Sequence, residues 1–301
     1  MLRHRLATLA DFFSHHGDIA PRYGCDPFLH SKLPEFWSAL LGSPAVVPLI
    51  VEDQSGAKPR VAASRLIAAV RDSFADEVLS GSVKTPVAET MVRRWLDGAQ
   101  VLLTPVEVKL ANKGDGMRLL TVHIWEAVPK EIPRLYCDVC ESQTDGMNQY
   151  LKGAKVVEMI EDACDEYHGE VNGAIGYTPR ARFDGGSWVG SITKSDAEKN
   201  WALTVAGVFQ YRPPRLGLSQ THKEILRPAL EGMTDEEIAA ALFLSVSAVK
   251  KRWSAIYDSV STKGQMAGLP ACDGKRGAER RRLLLDYLRW HPEELNPIAA
   301  H

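Results

Sequence analysis

Lys250, Lys251 and Arg252 stand in a row just after Ser245, Ser247 and Val249, inside the stretch TDEEIAAALFLSVSAVKKRW that runs from 234 to 253. Hydroxyls and cations gathered at one end of a helix are the groups that meet phosphate oxygens and base edges on duplex nucleic acid. A second set, Cys137, Cys140, Cys164 and His168, has the Cys-x2-Cys and Cys-x3-His spacing that can close a tetrahedral zinc site. Both pairs fall in stretches that read as helix, where Cys137 and Cys164 fit an apolar face and Asp138, Glu141, Asp165 and Glu166 a solvated one. The zinc and packing readings both stay open, and no metal or other cofactor is assigned. A third set, His123 with Asp115 and Cys137, contains the residue types of a Cys/His nucleophile pair. No GxSxG, HExxH or phosphate-binding Gly-Lys motif accompanies it, so no catalytic residue is assigned and the expectation is a protein that is not an enzyme.

The groups that position these residues divide by charge. The 301 residues carry a net charge of -2, but residues 212 to 290 hold 14 Lys and Arg against 9 Asp and Glu, whereas residues 1 to 211 hold 22 against 27. A basic carboxy-terminal module on an acidic body fits a nucleic-acid-binding end attached to another function. No long uncharged apolar run and no signal-like apolar core after the basic start MLRHRLATLADFF argues for membrane insertion, and five cysteines, including Cys25 and Cys272, form an odd set. A cytoplasmic protein without a disulfide framework is expected.

Along the chain, the first ~40 residues read as helical by the spacing of Leu6, Leu9, Phe12 and Phe13. AVVPLIVED (45–53) reads as a strand, VAASRLIAAVRDSFADEVLSG (61–81) as a helix with Leu66, Val70, Phe74 and Val78 on one face, and MRLLTVHIWEA (117–127) as a strand. Two helices are expected over 131–169, then a Gly-rich loop and hairpin, and a last strand in WALTVAGVFQY (201–211). The whole predicts a mixed α/β or α+β amino-terminal domain over 1–212, sensor-like in character, in which Trp37, Trp95, Trp125 and Trp188 are candidates to line an apolar ligand pocket. Pro213-Pro214 marks the boundary, because two successive residues without backbone N–H stiffen a connection.

From 216 to 301 the pattern is all-α. Ser219 starts one helix and Gly232 ends it, Thr234 and Glu237 form a capping box for the next, and after a tight turn Ser245 or Ser247 caps a helix with Val249, Trp253, Ile256 and Tyr257 at helical spacing. A support helix, a short turn and a second helix with a cationic leading half make a helix-turn-helix able to enter the major groove. An extra carboxy-terminal helix, AERRRLLLDYLRWHPEEL, carries Leu283, Leu284, Tyr287 and Leu288, with Arg280 to Arg282 as further candidates for phosphate contact.

Leu218-Ser219, Glu224-Ile225-Leu226, Gly232, Thr234, Glu237-Ile238-Ala239, Leu242, Ser245, Val249-Lys250 and Ile256 follow one another without a gap. In this the segment 218–262 resembles the LuxR/FixJ-type (GerE-like) DNA-binding domain of bacterial transcription regulators. The resemblance implies that Val249 and Lys250 contact DNA, with Ser245 at the start of the recognition element. Ala248 stands where the family has Thr, Arg252 where it has His, and His222 where an acidic residue is common; Pro228 interrupts the first helix, and three Gly and one Pro weaken the fourth. The expectation is a homodimeric DNA-binding transcription regulator with double-stranded DNA as partner, a small-molecule effector for its front domain, and no membrane partner. The alternatives are a protein-interaction module reusing the helical hairpin, or an α/β acyltransferase-like enzyme domain fused to a DNA-binding module.

Overall fold

The computed structural model describes residues 1–128, 132–200, 204–230, 232–266 and 277–296. Cys272 and most of the weak fourth-helix region lie outside them. Seven strands, β1 (Leu2–Leu6), β2 (Val46–Asp53), β3 (Arg60–Val70), β4 (Met117–Glu126), β5 (Val156–Ala163), β6 (Thr178–Arg182) and β7 (Trp188–Thr193), form one sheet in the order β1-β2-β3-β4-β5-β7-β6. All neighbours are antiparallel except β4 and β5.

The helices of this part are α1 (Leu9–Ser14), α2 (His16–Ile19), α3 (Pro27–Leu41), α4 (Asp72–Leu79), α5 (Val87–Leu96), α6 (Pro105–Lys113), α7 (Pro133–Tyr150), α8 (Glu166–Ile175) and α9 (Lys194–Lys199). Helices α1 to α5 cover one face, where Phe12, Trp37, Phe74 and Met91 pack on Leu66, Ala68 and Leu120. Helices α6, α7 and α9 cover the other, where Val108, Met147 and Ala197 pack on Ile67, Ala69 and Leu119. Successive β3 and β4 residues thus feed opposite cores, as the strand period of two requires.

That burial on both faces is why the sequence misleads here. From Ala62 to Val70 every residue is buried, so no polar alternation marks β3 as a strand. The helix expected over 61–81 is instead this eleven-residue strand followed by α4. The second helix expected before 169 is strand β5 and then α8, because Val156, Met159 and Ile160 fit either period and pairing with β4 and β7 decides. Residues Leu2–Leu6, expected within a helix, form the edge strand on β2, and Thr204–Phe209, expected in a strand, are a 3-10 helix. The fold-class expectation is corrected accordingly: the amino-terminal part is no generic α/β sensor but one mixed, mainly antiparallel sheet, with a single parallel pair between two helical layers.

Residues 216–295 have a core of their own. Helices α10 (Gln220–Leu230), α11 (Asp235–Ala241), α12 (Val246–Met266) and α13 (Gly277–Trp290) contribute Leu226, Ile238, Ile256 and Leu288 to it. The capping box at Thr234 is present: Glu237 N–H donates to Thr234 Oγ1 (3.2 Å) and Thr234 N–H to the Glu237 carboxylate (2.8 Å). The Leu242–Ser245 turn passes through Phe243 at φ 54°. In α13 the inward residues are Leu284, Leu285 and Leu288, and Arg281 is turned inward to Asp235 and the Trp253 ring rather than outward to phosphate. The module is closed by Glu294, whose carboxylate accepts from Arg215 and Leu216 N–H, both at 2.9 Å, next to the Pro213-Pro214 connection.

Candidate functional site between β4 and β5

β4 and β5 pair only from Met117–Val156 to Leu120–Ile160. Beyond that they part, β4 following β3 to Glu126 and β5 following β7 to Ala163. Val122 is the extra residue of a bulge in β4 at the point of divergence, since Thr121 faces Ile67 and His123 faces Leu66. A crevice beyond the carboxyl ends of two parallel strands is where open sheets bind ligands, and β4/β5 is the one such pair among the described residues. The facing backbone edges of the two strands are unpaired with each other there.

Its walls are ionisable. β4 supplies Thr121 and His123, β5 supplies Glu161 and Asp162, α8 supplies His168, and Arg22 reaches in from the 3-10 turn Ala20–Tyr23. Glu126, at the end of β4, is held above the usual carboxylate range by desolvation, against the opposing charges of Arg22, His168 and Arg65. Asp162 is pushed up to about 6, chiefly by desolvation, although the Val87 N–H donates to it at 2.8 Å and lowers it. His168 Nδ1 lies 2.8 Å from Asp165 Oδ1 without hydrogen-bond geometry, and its buried Nε2 has no partner. Gly169 allows this close docking of α8, because a Cβ there would sit 2.3 Å from Trp188 Nε1. A carboxyl raised by burial beside a cleft, as Asp162 is, is a group of the kind proton-transfer catalysis uses. In the state described, the space the wall residues enclose is about 30 Å³, room for a single water.

His123 is not the general base. Trp37 Nε1–H, which can only donate, bonds the Tyr23 oxygen at 3.0 Å. The Tyr23 hydroxyl then donates to His123 Nδ1 at 2.7 Å, which leaves the ring proton on Nε2, facing Ser64 Oγ at 3.2 Å. Ser64 Oγ thus accepts a hydrogen bond from the ring rather than donating to it, and burial brings His123 down to about 3, so the ring stays neutral. Cys137 is exposed on α7 and both His123 nitrogens are engaged elsewhere, so the Cys/His pair imagined with Asp115 does not form. Cys140 is a poor nucleophile, since desolvation raises it to about 11. Cys140 lies with Tyr136 and Glu126 and Cys164 with Asp162, and no group of three or more potential metal ligands occurs among the described residues. Nor do the tryptophans share a pocket: Trp37 and Trp125 belong to one core and Trp188 to the opposite one, with Trp95 packed at the edge of the first.

In the helical module, Ser245 Oγ caps α12 by accepting from Ala248 N–H at 3.2 Å and lies 2.9 Å from Ser247 Oγ. Lys250 and Lys251 are exposed; Val249 is fully buried against the module core, and Arg252 is half-buried beside Glu224 at 3.4 Å. The DNA contact implied for Val249 is therefore unavailable to its side chain. Sequence reasoning missed Arg22, Glu126, Glu161 and Asp162 altogether; the only signal was an acidic run at the end of an apolar stretch, EMIED, which read as helix.

No protein-family profile and no curated protein sequence matches the chain. Among solved structures it is similar to a spermidine N-acetyltransferase from Vibrio cholerae, with 9% identity and a TM-score of 0.40 over 67% of this chain and 98% of that one. It is similar also to the ribosomal-protein-S18-alanine N-acetyltransferase from Escherichia coli (8% identity, TM-score 0.35, 64% and 94%). A third is an N-acyl amino acid synthase from uncultured soil microbes (9% identity, TM-score 0.34, 65% and 94%). These are acyl-transferring proteins where the sequence led to regulators. The expectation of a transcription regulator that is not an enzyme is corrected on that ground, the acyltransferase-like alternative being the one these structures favour. Among the described residues no helix is long and apolar enough to cross a membrane.

Proposed function

We propose that the sheet domain is an acyl-transfer enzyme that moves an acyl group from a thioester to an amine or hydroxyl acceptor in the β4/β5 wedge. The observation that carries this is the divergence of the one parallel pair after Leu120 and Ile160, which leaves unpaired backbone beside Glu126 and Asp162. An extended arm bearing amides can pair with such an edge as an added strand would. A backbone N–H can then stabilise the oxyanion of the tetrahedral intermediate. Glu126, raised above the usual carboxylate range, and Asp162, raised to about 6, are the groups that take the proton from the acceptor nucleophile. The segment following β4, AVPKEIP from 127 to 133, has no glycine and two prolines, unlike the glycine-rich loops whose backbone N–H groups cradle a diphosphate. The donor is accordingly read as an acyl group on a pantetheine-type arm, with recognition centred on its amides.

Thiol release from acyl-pantetheine and acyl-coenzyme A, of acetyl to decanoyl chain length, should be followed with a panel of primary amines and amino acids. Turnover that falls about 10²–10⁴-fold in Glu126→Gln or Asp162→Asn, with folding intact, is the expected outcome. Acceptor-independent release, or equal turnover in both variants, would defeat the assignment. Exposed free thiols at Cys25, Cys137 and Cys164 suit a reducing compartment, and we place the protein in the cytoplasm.

For the helical module we propose duplex DNA as the partner of the enzyme domain's appendage, supported by the exposed Ser247, Lys250 and Lys251 on the leading half of α12. With Val249 buried and Arg252 beside Glu224, the phosphate contacts fall to the two lysines. Replacing both by alanine is expected to lower the salt-dependence slope of binding to random duplex DNA by about two. An unchanged slope removes DNA as the partner.

A further inference from the structure

A cavity of about 900 Å³ lies away from the wedge, where the sheet part meets the helical module. One wall is β1 and the chain around 41–48; the other is α10, the end of α13 and the 3-10 turn Pro292–Leu295. Size and position suit a small-molecule site, since such pockets run to several hundred Å³ and favour junctions between structural units.

The lining has a chemical sign. Arg3, Arg5, Arg227 and Arg289 border the cavity with His4, while none of the described lining residues is Asp or Glu. The carboxylates that pair with these cations lie outside it: Arg5 bonds Asp11 and Glu52, and Arg289 bonds Asp286. Arg227, half-buried, donates Nε and Nη2 to the Leu295 carbonyl and hydrogen-bonds to no carboxylate among the described residues. Tyr150 is within electrostatic reach of Arg3, Arg5 and Arg227. Between the cations the wall is apolar, formed by Leu6, Leu41, Val46, Leu230, Leu288 and Leu295. Polar and apolar demands are thus met in one enclosure, as an amphipathic anion requires.

We propose that this cavity binds an organic anion with an apolar body, its carboxylate or phosphate head among the arginines and its chain or ring against the leucines. Because the two walls come from different units, the bound anion bridges the sheet part and the helical module. This inference is independent of catalysis in the wedge.

The test uses the full chain and 8-anilinonaphthalene-1-sulfonate, an apolar anion, followed by fluorescence, with decanoate and inorganic phosphate as competitors. Arg3 and Arg289 are both exposed, so Arg3→Glu/Arg289→Glu reverses the sign at the rim without entering a core; Gln220→Glu, also exposed, serves if that pair fails to fold. One saturable site is expected, displaced by decanoate and not by equal phosphate, with the dissociation constant at least fivefold higher in the charge-reversed chain. A neutral probe, N-phenyl-1-naphthylamine, should bind the two chains alike. Absence of a saturable site, a shift below fivefold, or phosphate competing as well as decanoate overturns the proposal.

Discussion

Replacing Arg65 by methionine is expected to destabilise the protein by about 3–5 kcal/mol, measured by urea unfolding followed through tryptophan fluorescence. Arg65 on β3 and Glu161 on β5 are 7% and 2% exposed, and Arg65 Nη2 lies 3.6 Å from Glu161 Oε2 across β4. Glu161 has one further donor, Thr121 Oγ1 at 3.0 Å. Removing the guanidinium leaves a buried carboxylate with a single neutral donor, and the desolvation of the surviving charge dominates the loss. The pair itself stabilises little, because burying both ions costs about what their attraction returns. Arg65→Met combined with Glu161→Gln should therefore recover most of what Arg65→Met alone loses. A double variant as unstable as the single one would show that Arg65 acts by packing, for instance through its contact with Met147 Sδ at 2.7 Å, rather than by charge.

The second large effect concerns Asp162, and its sign is opposite. A carboxyl raised from 3.8 to about 6 in the folded state binds its proton more tightly than the unfolded chain does. Folding stability is thus fully supported below pH ~4, declines as the pH rises between the two values, and above pH ~6 carries a penalty of at most about 3 kcal/mol. Asp162→Asn keeps an oxygen to accept the Val87 N–H and removes the charge. It is expected to stabilise the protein by about 2 kcal/mol at pH 7.5 and by nearly nothing at pH 4, read from urea midpoints at the two values. Equal midpoints at pH 7.5 would mean that Asp162 is solvated or paired in the folded chain. A stability gain accompanied by loss of turnover is the pattern of a catalytic carboxylate held in an unfavourable setting.

These residues also show where sequence reading stops. The helical module was legible because its signals are local: Thr234 and Glu237 are three residues apart, and Ser245 caps a helix whose apolar residues recur at 3.6 spacing. The central sheet was not. β3 is buried on both faces and β5 can satisfy either period, so strand character there is conferred by neighbours distant in the chain. Among the nominated DNA contacts, Lys250 and Lys251 lie on the surface, while Val249 faces the core because its place in the helical period puts it beside Leu226 and Ile256.

By itself the sequence determined a two-part chain: an acidic strand-bearing body, a basic helical end with its caps and turn, and a stiff Pro-Pro connection between them. Only the tertiary structure decided that β4 and β5 run parallel and then part, because strand direction and register are set by pairing between residues far apart in the chain, as between Leu120 and Ile160. It also decided the chemistry. Glu126 and Asp162 are ordinary surface-type residues in a sequence, and it is desolvation in the folded chain that raises both carboxylates. The same holds for the cationic cavity, whose arginines come from positions 3 to 289 and acquire a common sign only when the chain brings them to one wall.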